Sequence, residues 1–352
     1  MLDSGTKKSI IPIMKKRSQP KTPIRSVTVI GDGSWGTTLA VYLSRQGYPV
    51  TLWGPFEDYI RKMKRNRINN KFLPGIKIPA AVQITFDLTE AVSSADLLVL
   101  AVPSKYIAGV LKKLRPENVR KKIFLSVIKG IEPKSLARMS EVIQRELGHV
   151  RLAVLSGPTI AREVVQGIPS SAVIASKNLP LACTLQKVFH SARFRIYTNT
   201  DVVGLELGGS LKNIIAIACG VCDGLGFGTN AKAAILSRGL AEMARLGQAM
   251  GAKAMTFSGL GGLGDLVTTC FSRQSRNRYV GEQLGRGRNI QTITSSMDMV
   301  AEGVETARAA VRLAKRHRVA LPICTEVYNI IHKNKKPPAA VQDLMTRRLK
   351  SE

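Results

Sequence analysis

Two kinds of hydrophobic pattern divide the chain. Over the first two hundred residues, short apolar runs rich in β-branched side chains alternate with longer amphipathic stretches. Residues 26–30, 49–53, 96–102, 123–128, 152–155, 172–175 and 194–197 are the runs expected of strands covered on both faces. Helical periodicity falls between them, over 37–45, 105–114, 135–147 and 180–189. Beyond residue 200 the strand runs stop. Helices are predicted over 202–221, 230–250, 274–284, 304–318 and 326–333, with a glycine-rich turn at 259–264.

The first strand runs directly into Gly31-Asp32-Gly33-Ser34-Trp35-Gly36, and a helix follows. Strand, GxGxxG, helix and a second strand open a dinucleotide-binding fold. The first glycine allows the tight turn, the second lets backbone approach a pyrophosphate, and the third lets helix pack on strand. The expected fold class is therefore α/β: an N-terminal Rossmann-type, doubly wound sheet domain over residues 25–198, then an all-helical domain over 199–352. Residues 1–24 read as a basic flexible tail without the apolar core of a secretory signal.

Composition changes this picture little. In 352 residues, 44% are apolar, enough for a sizeable core, and no apolar run reaches the roughly 18 residues of a membrane span. Five cysteines do not make a disulfide framework, which points to the cytoplasm. Cys219 and Cys222 have redox-motif spacing but sit inside an apolar helix, where buried thiols are the better reading. The four histidines form no metal-ligand spacing, so no metal is expected. Charge is the loudest signal, at a formal +29. It raises nucleic acid, an anionic membrane surface and acidic substrates together. Apart from the tail and the basic stretch 61–71 it is spread thinly, and aromatics are only 5%, which argues against a nucleic-acid partner.

The second half carries the most specific blocks. Glu206-Leu-Gly-Gly-Ser-Leu-Lys212-Asn213-Ile-Ile-Ala resembles the signature helix of the glycerol-3-phosphate dehydrogenases. Further blocks agree, in that family's order: Asn70-Lys-Phe-Leu-Pro-Gly75, Ile128-Lys129-Gly130, Ser156-Gly157-Pro-Thr159, Asp223-Gly-Leu-Gly-Phe-Gly228, Gly261-Gly-Leu-Gly-Asp265-Leu-Val-Thr-Thr269-Cys270, Ser275-Arg276-Asn277-Arg278 and Val300-Ala-Glu302-Gly303. The pattern is similar to the bacterial type, which uses NAD(P). The resemblance implies reversible hydride transfer between NAD(P)H and C2 of dihydroxyacetone phosphate, giving sn-glycerol 3-phosphate for glycerophospholipid synthesis.

On that resemblance, Lys212 is the general acid/base. From the residues alone, a lysine in so apolar a helix either snorkels outward or faces a polar cleft, and both remain open. Lys129 follows a predicted strand end, where ligands gather in open α/β sheets, and would polarise the carbonyl and lower the pKa of Lys212. Asp265 is the orienting carboxylate, with a helix N-cap as its other reading. Ser275, Arg276 and Asn277 offer a hydroxyl, a planar fork and an amide to a phosphate dianion. The resemblance adds Gly157, Thr159, Asn213 and Thr269 as substrate contacts. It implies Gly31, Gly33, Ser34, Trp35, Gly36, Lys129, Ala161, Arg276, Val300 and Glu302 as cofactor contacts.

Both NAD and NADP remain open, with NADPH slightly favoured. The second strand ends in Trp53-Gly54-Pro55-Phe56, without the acid that would bind a ribose 2′-OH, and Arg61, Lys62 and Arg65 follow. The partners expected are a small phosphate substrate, a second copy in a homodimer, and peripheral contact of the basic tail with an anionic membrane. The alternatives are a nicotinamide-dependent hydroxyacid or keto-acid reductase of similar layout, and a basic nucleic-acid-binding protein.

Overall fold

A computed structural model describes residues 23–114, 119–349 and 351. Its first part is β1 (Val27–Ile30), α1 (Ser34–Arg45), β2 (Val50–Trp53), α2 (Glu57–Asn66), β3 (Val82–Thr85), α3 (Leu88–Ser93), β4 (Leu97–Leu100), α4 (Ile107–Leu111), β5 (Ile123–Ser126), α5 (Met139–Leu147), β6 (Arg151–Ser156), α6 (Ala161–Val165), β7 (Ser170–Ala175), α7 (Leu179–Phe189) and β8 (Phe194–Asn199). The strands form one sheet of order β3-β2-β1-β4-β5-β6-β7-β8. β1, β2, β4 and β5 are buried along their whole length, as continuous apolar runs require when helices cover both faces.

Three features differ from the sequence reading. β3 was not expected: it is a four-residue edge strand whose alternate positions Gln83 and Thr85 are not buried, so it lacks a continuous apolar run. α1 starts at Ser34 rather than at 37, which puts Gly36 inside the helix. β7 runs antiparallel to β6, while every other pairing is parallel. Only Gly157 to Pro169 joins β6 to β7, and its five-residue α6 is tied to α1 by Thr38 Oγ1 on Ala161 O (3.1 Å) and Arg45 Nη1 on Val165 O (2.6 Å). With α6 seated on α1, the chain re-enters the sheet beside β6 in the opposite direction.

The strand order reverses at β1, which lies between β2 and β4. This switch point is where open α/β sheets take ligands. Gly31 closes the crevice floor: its φ is +125°, and a Cβ there would lie 2.7 Å from the Ala101 carbonyl carbon.

The second part is helical: α8 (Val202–Gly224), α9 (Thr229–Ala249), α10 (Ala254–Ser258), a π-helical turn (Leu260–Gly264), α11 (Asp265–Phe271), α12 (Arg276–Gly285), α13 (Ile290–Ser295), α14 (Glu302–His317), α15 (Pro322–His332) and α16 (Pro337–Met345). The expected glycine-rich turn is thus helical. α8 is the axis. It is 23 residues long with a mean hydropathy of 1.5, long and apolar enough to cross a membrane, yet 94% of its most apolar window is buried inside the fold. α9, α11, α12 and α14 pack around it. The α8–α12 contact is unusually close: a Cβ on Gly220 would lie 2.0 Å from Arg278 O, and one on Gly281 2.0 Å from Ile217 O. That approach brings the start of α12 to the polar middle of α8.

One buried carboxylate ties the two parts together. Glu206 of α8 accepts from Ser140 N (2.7 Å), Ser140 Oγ (2.6 Å) and Arg138 Nη1 (2.6 Å) at the start of α5. Burial raises its pKa, and Arg138 and Ser140 oppose the rise. Glu206→Ala removes the acceptor of Ser140 N and Ser140 Oγ and leaves Arg138 paired with Glu141 alone, so unfolding in urea is expected to show a loss of about 1–3 kcal/mol. A loss below about 1 kcal/mol would mean the cluster does not join the two parts.

Candidate active site

The ends of three elements converge on the middle of α8. Lys129 lies three residues past β5, Ser156 ends β6, Lys212 is mid-α8, and Asp265 opens α11. The Asp265 carboxylate sits between both lysines. Oδ1 is 2.8 Å from Lys212 Nζ, and Oδ2 is 2.7 Å from Lys129 Nζ. Ser156 Oγ donates to Oδ2 (3.2 Å), and Thr269 Oγ1 accepts from Lys212 while donating to Asp265 O (2.6 Å). Lys129 also donates to Gly157 O (2.9 Å) and Thr159 Oγ1 (3.4 Å). A Cβ on Gly209 would lie 2.6 Å from Ser156 Oγ, so α8 must be bare at that turn for β6 to reach the carboxylate.

These contacts decide the open readings. Lys212 is 5% exposed and points inward, so it does not snorkel. Asp265 is no N-cap: Gly264 holds that position, and Asp265 is the first residue of α11, with its carboxylate turned toward the lysines. Burial pushes the Asp265 carboxyl up, but the two lysine charges and their hydrogen bonds outweigh it and hold the group below the ordinary carboxylate value. The Lys129 ammonium is pushed down to about 8, chiefly by burial. Asp265 opposes that shift, and the neighbouring Lys212 charge adds to it.

A second group of expected residues is linked to this cluster through amides. Asn213 Nδ2 donates to Lys129 O (3.3 Å), Asn277 Nδ2 donates to Asn213 Oδ1 (2.9 Å), and Asn277 Oδ1 accepts from Gly303 N (2.9 Å). Ser275 caps α12 by accepting from Arg278 N (3.2 Å). Asn213 and Asn277, both expected to touch ligand, thus also hold α8, α12 and α14 together, and Ser275 also caps α12. Arg276 is half-buried and donates to Val300 O (2.8 Å), leaving most of its fork free. Burial lowers its pKa, and Glu302 opposes this. Glu302 accepts from Ser104 N (2.9 Å) and Ser104 Oγ (2.5 Å), past the end of β4, so it clamps α14 to the crevice rim. Ala161 lies against α1 rather than in the lysine cluster.

The fingerprint loop fits a dinucleotide. A Cβ on Gly36 would clash with Gly31 O at 1.9 Å, whereas one on Gly33 would meet nothing within 4 Å, so the backbone is open at that residue. The first amides of α1, from Ser34 onward, face an anion-binding position. Two buried polar atoms of this loop, Asp32 Oδ2 and Trp35 Nε1, have no partner among the described residues, as expected where a ligand completes the bonding. Sequence reasoning missed Asp32, Ser104 and Ser156. An acid inside an otherwise small and apolar fingerprint, and a serine ending a buried strand, were signals that could have found two of them.

A switch-point crevice with a phosphate-binding turn, facing a buried Lys–Asp–Lys cluster on a helical domain, defines a nicotinamide-dependent dehydrogenase of the two-domain type. Comparison with known proteins gives the family. Residues 26–182 match the model of the NAD-dependent glycerol-3-phosphate dehydrogenase N-terminus, and residues 201–342 that of its C-terminus. A glycerol-3-phosphate dehydrogenase [NAD(P)+] of Prosthecochloris aestuarii is 49% identical over 93% of this chain and 99% of its own. One from Geobacter sulfurreducens is 47% identical over 93% and 98%. The crystal structure of glycerol-3-phosphate dehydrogenase from Coxiella burnetii superposes with a TM-score of 0.89 at 38% identity, covering 92% of this chain and 99% of that one. The chain belongs to the NAD-dependent glycerol-3-phosphate dehydrogenase family.

Replacing Asp265 with Asn leaves two buried ammonium groups without their shared counter-charge. The expected result is a fall in kcat of at least about a hundredfold and a destabilisation of about 3–5 kcal/mol. Steady-state rates and urea unfolding check both, and an unchanged kcat would remove Asp265 from the site.

Proposed function

We propose that the lysine–aspartate cluster carries out this family's reaction, the reversible NAD(P)H-dependent reduction of dihydroxyacetone phosphate to sn-glycerol 3-phosphate. The observation that carries the reading is the Asp265 carboxylate within 2.8 Å of both lysine ammonium groups. The nicotinamide cofactor supplies the hydride that C2 receives. Lys212 gives a proton to the developing C2 alkoxide and takes it back in the reverse direction. Lys129 faces the same oxygen and stabilises its growing charge. Asp265 keeps both ammonium groups in place and opposes the loss of charge at Lys129.

Arg276 and the first amides of α12 are the proposed phosphate clamp. Gly157, Thr159, Asn213, Thr269, Ser275 and Asn277 shape the substrate site. Gly31, Gly33, Ser34, Trp35, Gly36, Lys129, Ala161, Arg276, Val300 and Glu302 form the cofactor side, several of them by holding the walls rather than by contact. The proposed division between residues 198 and 199 falls one residue before the end of β8 at Asn199, and Ile24, assigned to the tail, is buried against the N-terminal core.

A cytoplasmic enzyme supplying glycerophospholipid synthesis is the proposed setting, and buried free thiols such as Cys219 and Cys270 suit a reducing compartment. Leu263, Val267 and Phe271, each more than a third exposed, support a homodimer. The tail proposed to touch anionic membrane lies outside the described residues over 1–22. The lean toward NADPH rested on Arg61, Lys62 and Arg65, but Arg61 is paired with Glu57 at 2.6 Å.

Purified protein is expected to oxidise both NADH and NADPH when dihydroxyacetone phosphate is added; no oxidation of either would sink the reading. Lys212→Ala should lower kcat by about 10²–10⁴ while cofactor dissociation constants stay put, and a loss under about tenfold would assign the proton elsewhere. Lys129 must be charged to stabilise the oxyanion, so kcat/KM for reduction should fall as pH rises through about 8. A profile flat to pH 10 would contradict that role.

A further inference from the structure

Asp32 is the residue of the fingerprint loop that the phosphate-binding turn does not explain. It is 7% exposed, and its Oδ2 has no hydrogen-bond partner among the described residues. Its backbone is fixed: the carbonyl accepts from Asn69 Nδ2 (2.7 Å) and Thr37 Oγ1 (3.2 Å). Its carboxyl group lies over Gly54, the first residue past β2. A Cβ on Gly54 would sit 2.6 Å from Asp32 Cγ and 2.8 Å from Oδ2. Any side chain at 54 would therefore displace the carboxyl.

That position has a general meaning. In dinucleotide-binding sheets the end of β2 carries the acid that accepts from the adenosine ribose 2′-OH. Here the strand end is Gly54-Pro55-Phe56 and has no acid, but a carboxyl group from the neighbouring loop fills the space left by the glycine. Burying a carboxyl with an oxygen unpaired is costly, and a ligand hydroxyl supplies the missing bond. The charges nearby point the same way. Arg61, the cation nearest in sequence to the strand end, is held by Glu57 and lies over the Phe86 ring. Burial raises the Asp32 pKa; the Lys71 charge opposes the rise, and Lys71 is itself paired with Asp298 at 3.5 Å.

We infer that Asp32 is the cofactor-specificity residue: it accepts a hydrogen bond from the ribose 2′-OH of NADH and repels the 2′-phosphate of NADPH. The acid missing from the strand end has moved to the loop beside it. This rests on the reading of the chain as a nicotinamide-dependent dehydrogenase, and it reverses the preference inferred from the basic stretch of α2.

The test is direct binding of NADH and NADPH, by isothermal titration calorimetry without substrate, to the full chain and to Asp32→Ala and Asp32→Asn. Wild type should bind NADH at least about tenfold more tightly than NADPH. Both variants should lose NADH affinity and gain or keep NADPH affinity, so that the ratio collapses. Asp32→Asn keeps the side-chain volume and serves if the alanine variant folds poorly. A wild type that binds NADPH as well as NADH overturns the inference, as do variants that weaken both cofactors equally, since Asp32 would then only hold the loop. Binding of neither cofactor by wild type would remove the dehydrogenase reading itself.

Discussion

The site depends on one buried carboxylate shared by two lysines. Asp265 is 1% exposed, and without it Lys129 and Lys212 would face each other as like charges in a poorly hydrated pocket. Each of the three comes from a different element, and the elements must be placed to within hydrogen-bonding distance. That requirement explains several choices that look unrelated. Gly209 bares α8 so that Ser156 can reach the carboxylate, and Gly220 and Gly281 draw α12 against α8. Glu206 fixes α8 to the start of α5, and Glu302 fixes α14 to Ser104. The polar ties surround the cluster and leave the charge pairing inside it as the chemical feature.

Much of this was legible in the chain because its causes are local. Buried parallel strands must be continuous apolar runs, and a dinucleotide turn must have its glycines, so β1, β2, β4, β5 and the fingerprint could be read directly. β3 escaped because an edge strand with Gln83 and Thr85 on its less covered face does not carry that signature. The direction of β7 escaped because it depends on the seating of α6 on α1, which periodicity does not encode. The residues of the site were named from the resemblance, but not their partners. Lys129 and Asp265 are 136 positions apart, Ser104 and Glu302 198 apart, and no local pattern joins them. Ser275, Asn213 and Asn277 each also make a structural hydrogen bond that no local pattern announces, and each keeps donor or acceptor capacity beyond it.

The basic excess also divides once partners are known. Arg67 ends α2 in a left-handed conformation and donates to Pro79 O and Val82 O, so one cation of the basic stretch is a structural strut. Arg138 holds Glu206, and Arg278 holds Asp223 together with Lys232. Lys129, Lys212 and Arg276 remain for anionic reactants. Positive charge at the crevice steers such reactants inward, whereas specificity between them needs a negative group in the right place.

The central claim is that burial, opposed by the shared carboxylate, sets the charge state of Lys129. Its most direct test is the titration of Lys129 by NMR in protein carrying lysine labelled with ¹³C at Cε, with Lys129→Met assigning the signal. The account predicts a midpoint near 8. A midpoint at the ordinary lysine value of about 10.4 would contradict it.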